Sequence, residues 1–159
     1  MSDWVSLPLV GKAVGFIQRL WRCMRGTNEA DKRLFSQLLE ALPSDGVIKF
    51  VKDQDMGDIF IHKQVFPLYD FPHKWDNAEH EFRDAVLEKQ RLNLLRLVER
   101  FSYQVSMNTF RHGDVHQGME TEWPEERFEK VRKMLNDLGD EVVAAHQDLV
   151  RTAKKRLNV

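Results

Sequence analysis

Seven apolar residues downstream of Pro124, namely Phe128, Val131, Leu135, Leu138, Val142, Ala145 and Leu149, recur at alternating steps of three and four. At 3.6 residues per turn, that spacing puts all seven on one stripe of a single helix, the seam pattern of a bundle or coiled coil. Upstream, Leu87, Leu94, Val98, Phe101 and Val105 keep the same spacing, and Leu95 and Leu97 widen the face. A face that wide needs more than one neighbour to cover it. The two stretches predict an all-α helical bundle built around a long antiparallel helical hairpin. Asp84 is the expected N-cap of the first long helix, which reads to about Phe110. Pro124, followed by Glu125 and Glu126, starts the second as the helix dipole prefers. Between them, residues 111–123 carry Gly113 and Gly118 and no apolar period, and read as a loop. Gly139 costs the last helix about 1 kcal/mol relative to alanine and marks a place where another helix comes close.

A chain of 159 residues reads as one domain, long enough to bury a core without staples. Cys23 is the only cysteine, which excludes an intrachain disulfide and a Cys-based zinc site and favours a reducing, cytoplasmic setting. A net charge of −1 hides an uneven distribution. Lys12, Arg19, Arg22 and Arg25 face only Asp3 near the start, and Arg151, Lys154, Lys155 and Arg156 close the chain without an acid. Basic ends could attract phosphate or anionic lipid. The C-terminal group equally suits the negative end of a helix dipole.

Residues 1–25 are the most apolar portion. Ala13, Phe16, Ile17, Leu20 and Met24 share one helical face with Trp21 beside it, and Lys12, Arg19 and Arg22 lie largely off it. Asp3 and the lack of a small-residue cleavage site argue against a secretory signal. Four polar or charged residues interrupt the run, so it is no membrane span. This amphipathic helix either packs on its own core or meets a partner or an anionic membrane surface. Phe16, Leu20, Trp21, Arg19 and Arg22 are the expected interaction residues.

After a break at Gly26-Thr27-Asn28, a capped helix is expected at 29–42 with Phe35, Leu38, Leu39 and Leu42 buried. Pro43-Ser44-Asp45-Gly46 stops it, and one or two helical turns follow through Val51. Asp53, Asp55 and Asp58 invite a calcium-loop reading, but Gly57 and Asp58 fall in reversed order and Gln64 stands where glutamate is required. They read as turn and cap residues. From Ile59 to Phe82 aromatic residues crowd, and Pro67 and Pro72 are expected to divide the segment into short helical pieces. His73, Asp76 and His80 would share one helical face there, the best candidate metal set in the chain, without the second set that bundle sites use. His112 and His116 with Asp114 offer another, lacking a third ligand nearby. His146 reads as a hydrogen-bonded packing histidine.

The run Arg111-His112-Gly113-Asp114-Val115-His116 resembles, by type and spacing, the arginine-polar-x-x-x-histidine signature of HEPN ribonucleases. Those proteins are helical bundles, usually dimeric. The resemblance implies that Arg111 grips an RNA phosphate while His116 transfers protons. Gly113 and Gly118 instead predict a mobile, solvated segment, a poor base for catalytic geometry. Leu42-Pro43-Ser44, Trp75-Asp76-Asn77-Ala78-Glu79 and Asn108-Thr109-Phe110 resemble stretches of bacterial proteins of no assigned function, which implies a bacterial, soluble, helical protein. The residues favour a non-enzymatic helical interaction module without cofactor, binding a protein partner or a copy of itself. A ribonuclease using Arg111 and His116, and membrane attachment through 1–25, are the alternatives. Nucleic acid is the less favoured partner.

Overall fold

A computed structural model describes residues 28–159. The chain is a helical bundle: α1 (28–41), α2 (Val47–Asp53), α3 (Phe66–Trp75), α4 (Ala85–Asn108) and α5 (Glu125–Leu157). Three short strands, β1 (Phe60–Ile61), β2 (Phe110–His112) and β3 (His116–Gly118), form a small antiparallel sheet in the order β1-β3-β2. Residues 1–27, and with them the expected interaction residues Phe16, Arg19, Leu20, Trp21 and Arg22, lie outside the described residues.

α4 and α5 are the hairpin that the apolar spacing predicts. Asp84 pairs with Arg156 at 2.7 Å, Gln90 donates to Thr152 at 3.1 Å, and Phe101 lies against Gly139, so the two helices run in opposite directions. At 1.5 Å per residue they span about 36 and about 50 Å. Leu87, Leu94, Val98, Phe101 and Val105 meet Leu135, Leu138, Val142 and Leu149, all buried in one core. Phe128, Val131 and Ala145, nearer the edge of the stripe, are half-buried against it. Gly139 lets α2 and α4 approach: a Cβ there would stand 3.1 Å from Val51 and 3.6 Å from Phe101.

Helix ends are closed by side chains. Asp84 accepts from the amides of Val86 and Leu87, as its place before α4 predicts. Buried Asp31 on α1 accepts from the amides of Arg83 and Asp84, fixing α1 to the start of α4. The other end of α1 is held by α5, where buried His146 donates through Nε2 to the Leu42 carbonyl at 2.9 Å. Asp55 takes bonds from Gly57, Arg132 and Asn136, clipping the loop after α2 onto α5. That is the turn role expected of it. The Arg132 guanidinium beside Asp55 holds its carboxyl far below the usual range, against a smaller opposing effect of burial.

Three expectations are corrected. Residues 111–123 are not an irregular loop: β2 and β3 form a hairpin whose outer neighbour is β1, fifty residues upstream. Pro67 and Pro72 do not divide the aromatic segment, because both lie within α3. Pro67 occupies the first turn, where its missing N–H has no partner to lose. Pro72 sits inside, and burial of Leu68, Phe71 and Trp75 on the core outweighs the bond it forfeits. Finally, His73, Asp76 and His80 do not share a helical face. α3 ends at Trp75, Asp76 caps it, and His80 belongs to a separate 3-10 turn, Ala78–His80.

Candidate functional site

The sheet positions the histidines and the arginine that the sequence singles out. Its alternation sends side chains to opposite faces. Thr109 and Phe60 are buried, and Gln117 Nε2 donates to Thr109 Oγ1 at 2.6 Å, so Arg111, Gln117 and Phe60 belong to the inner face. Phe110, His112, His116 and Ile61 belong to the outer face. Arg111 and His116 therefore project from opposite sides of the sheet, and one chain does not bring them to one phosphate.

The structure gives Arg111 a different histidine. His62, in the turn after β1, is 9% exposed and donates both its backbone amide and its ring Nδ1 to the Val115 carbonyl, at 3.0 and 2.8 Å. With Nδ1 used as donor, Nε2 presents its lone pair to the Arg111 guanidinium at 3.5 Å. Arg111 also donates to the Asp114 carbonyl at 2.8 Å. These bonds anchor the hairpin tip, which is why the two glycines do not leave it irregular. Gly113 supplies the left-handed backbone the turn requires, at φ +71°. No periodicity signal could have found this pairing, because residues 62 and 115 are brought together by the fold alone.

His73 and Asp76 are exposed at a groove of about 440 Å³ between α3 and α4, shared with Tyr69, Glu99, Ser102 and Tyr103. His80 leaves that groove: its ring lies 4.4 Å from Trp75, and Nδ1 bonds Asn77 Oδ1 at 2.9 Å. Among the described residues no three His, Cys, Asp or Glu side chains gather closely enough to hold a metal. The two serine hydroxyls of the groove are occupied. Ser102 donates to the Val98 carbonyl at 2.7 Å, and Ser106 to that of Tyr103 at 2.9 Å. Burial pushes the Tyr69 phenol up, opposed by a hydrogen bond with Gln117, so it is not an ionised base near neutral pH. A nucleophile bonded to a base, which acyl or phosphoryl transfer needs, is not assembled there.

What the surface does offer is apolar. Ile59, Ile61 and Phe110 are 54%, 43% and 46% exposed, too open to be core residues. The Ile59 side chain lies over Gly118, where a Cβ would stand 3.2 Å from its Cγ1, and Phe110 pairs with Gly118 from the other side. All three side chains therefore share the outer face of the sheet. Trp123 extends it, edge-on to Phe110 at 6.2 Å, with the Arg127 guanidinium 4.0 Å above its ring. On α4, Tyr103 and Met107 are also exposed, Tyr103 at the groove beside α3. No family model, curated protein or solved structure matches the chain.

Proposed function

We propose that the protein is a non-enzymatic helical interaction module that binds a protein partner or a second copy of itself. The observation that supports this is the outer face of the sheet, where Ile59, Ile61 and Phe110 stand half-exposed beside Trp123. Scattered single apolar residues on a surface need no explanation, but a contiguous group marks a docking face. The face also sits on an anchored hairpin, so little ordering would be required on binding. The groove between α3 and α4 argues against an enzyme in the same direction, because its serines are bonded to their own helix. The sequence of residues 12–24, which lie outside the described residues, has an amphipathic pattern that suits the same role. Among the described residues no helix is long and apolar enough to cross a membrane.

Sedimentation of the full-length chain across a concentration series tests self-association, and cross-linking in its native extract followed by mass spectrometry tests a foreign partner. Ile61→Asp and Phe110→Asp lie on the surface and should leave the fold intact while removing the association. A chain that stays monomeric, with no cross-links mapping to residues 59–61, 103–110 or 123, would overturn the reading.

A further inference from the structure

The outer face of the sheet sets two imidazoles side by side. His112 and His116 stand directly opposite each other in the antiparallel register. Their Cβ atoms are then about 5 Å apart and their side chains leave the same face. On the far side of His116 the register places Ile61, and Phe110 precedes His112 on the same face, so apolar groups border the pair. Arg111 leaves from the inner face, where it turns to His62 and the Asp114 carbonyl.

A second observation points to a ligand. Among the described residues His112 Nε2 is buried and has no hydrogen-bond partner. Buried polar atoms in native proteins are nearly always paired, and an orphan calls for a water, an ion or a functional role. His62 has both ring nitrogens paired, whereas among the described residues His146 Nδ1 is likewise without a partner; His112 differs from His146 in standing beside a second imidazole on the face of the sheet.

We infer that His112 and His116 form a cross-strand two-imidazole site for a borderline divalent cation of the Zn²⁺ or Ni²⁺ class. Imidazole suits these ions, whereas Mg²⁺ and Ca²⁺ demand oxygen ligands. Tetrahedral Zn²⁺ with Zn–N bonds of about 2.0–2.1 Å needs its two nitrogens about 3.3 Å apart. Side chains whose Cβ atoms are about 5 Å apart reach that separation by rotation about χ1 and χ2, with no movement of the strands. The hairpin is already fixed, by the two bonds onto the Val115 carbonyl and the Gln117–Thr109 bond. A loop would have to be ordered before it could chelate; here the strands are already in place and only the two side chains have to turn, the His112 ring away from Gly118. Two protein ligands leave the other positions to water or to a donor from another molecule, so the site takes its ion reversibly, unlike a closed four-ligand structural site. The inference does not depend on the chain having a protein partner.

Titration of the purified full-length chain with ZnCl₂ and with NiCl₂, read by calorimetry and by the imidazole resonances in NMR, tests it. One ion should bind per chain, perturb the His112 and His116 resonances, and raise the Tm as any ligand of the folded state does. His116→Asn changes an exposed side chain and should keep the metal-free Tm. It should weaken binding by at least about tenfold, the loss that removal of even an outer-shell partner causes. His112→Asn should do the same, while His73→Asn and His80→Asn retain full affinity. Binding of undiminished strength in the His112→Asn/His116→Asn double variant, resonance shifts confined to other histidines, or no binding at millimolar cation would each overturn the assignment.

Discussion

Arg91 and Asp31 are the most deeply buried charged side chains among the described residues, each 2% exposed, and Arg91 is the larger. Its guanidinium is fully engaged: Nε and Nη2 fork onto Glu88 at 2.9 and 2.6 Å, and Nη1 donates to the Trp75 carbonyl at 2.6 Å. Glu88 in turn accepts the Phe82 amide at 2.8 Å. One side chain thus closes the C-terminal end of α3 onto the first turns of α4. Removing it leaves a carboxylate and a carbonyl without their donors. Arg91→Ala is expected to cost about 3–5 kcal/mol in urea unfolding, and a loss under about 1 kcal/mol would show the network to be dispensable. His146 gives a second test at this scale. Burial lowers its pKa, against a smaller opposing effect of the bond to Leu42. The folded state therefore holds it neutral where the unfolded chain takes up a proton. Stability from this group is present above the unfolded value of about 6.5 and falls as pH drops through that value toward the lowered folded one. His146→Gln keeps a donor for the Leu42 carbonyl and should flatten the change in Tm between about pH 7 and pH 5. An acid limb equally steep in that variant would assign it to other groups.

Among elements, α5 ties together segments from across the chain. It meets α4 along the seam, receives the Leu42 carbonyl of α1 through His146, and takes the loop after α2 through Asp55 and Asn136. Leu135 and Val142 are fully buried at the centre of that seam. A charge placed there has no partner and little water, so Leu135→Asp or Val142→Asp should unfold the bundle, read as loss of far-ultraviolet helicity. Gly139→Leu should cost about 1–3 kcal/mol by overpacking, since Val51 already stands 3.1 Å from where the Cβ would be. A stabilised Gly139→Leu would mean that α2 can shift freely.

At the scale of the whole molecule, the sheet decides which residues can act together. It sends Arg111 and His116 to opposite faces and brings Arg111 to His62 instead, so within one chain the pair Arg111–His116 does not converge. Purified protein should not cleave RNA; His116→Ala should change stability by no more than about 0.5 kcal/mol because its side chain is exposed, and Arg111→Ala should cost about 1 kcal/mol through loss of its bonds to His62 and the Asp114 carbonyl. Metal-independent cleavage that disappears in either variant would require a second chain to complete the site and would promote the ribonuclease reading.

The apolar period of α4 and α5, the N-cap at Asp84, the start at Pro124 and the close approach at Gly139 are local or nearly local properties, and the sequence by itself determined them. A helix repeats every 3.6 residues, so its buried face is written in the chain that forms it. The same logic predicted a packing role for His146 and a turn role for Asp55, though not their partners. What only the tertiary structure decided lies where contacts join distant segments. Strands of two and three residues carry no period long enough to read, and β1 becomes a strand because residue 61 meets residue 116. Pro72 stays helical because the core takes Leu68, Phe71 and Trp75 around it. Asp31 and Arg91 are buried because distant amides and carbonyls need them. The outer face of the sheet, with its exposed isoleucines and paired histidines, exists only once those long-range contacts are made, since loop-closure entropy must be offset before any local preference in so short a strand can show.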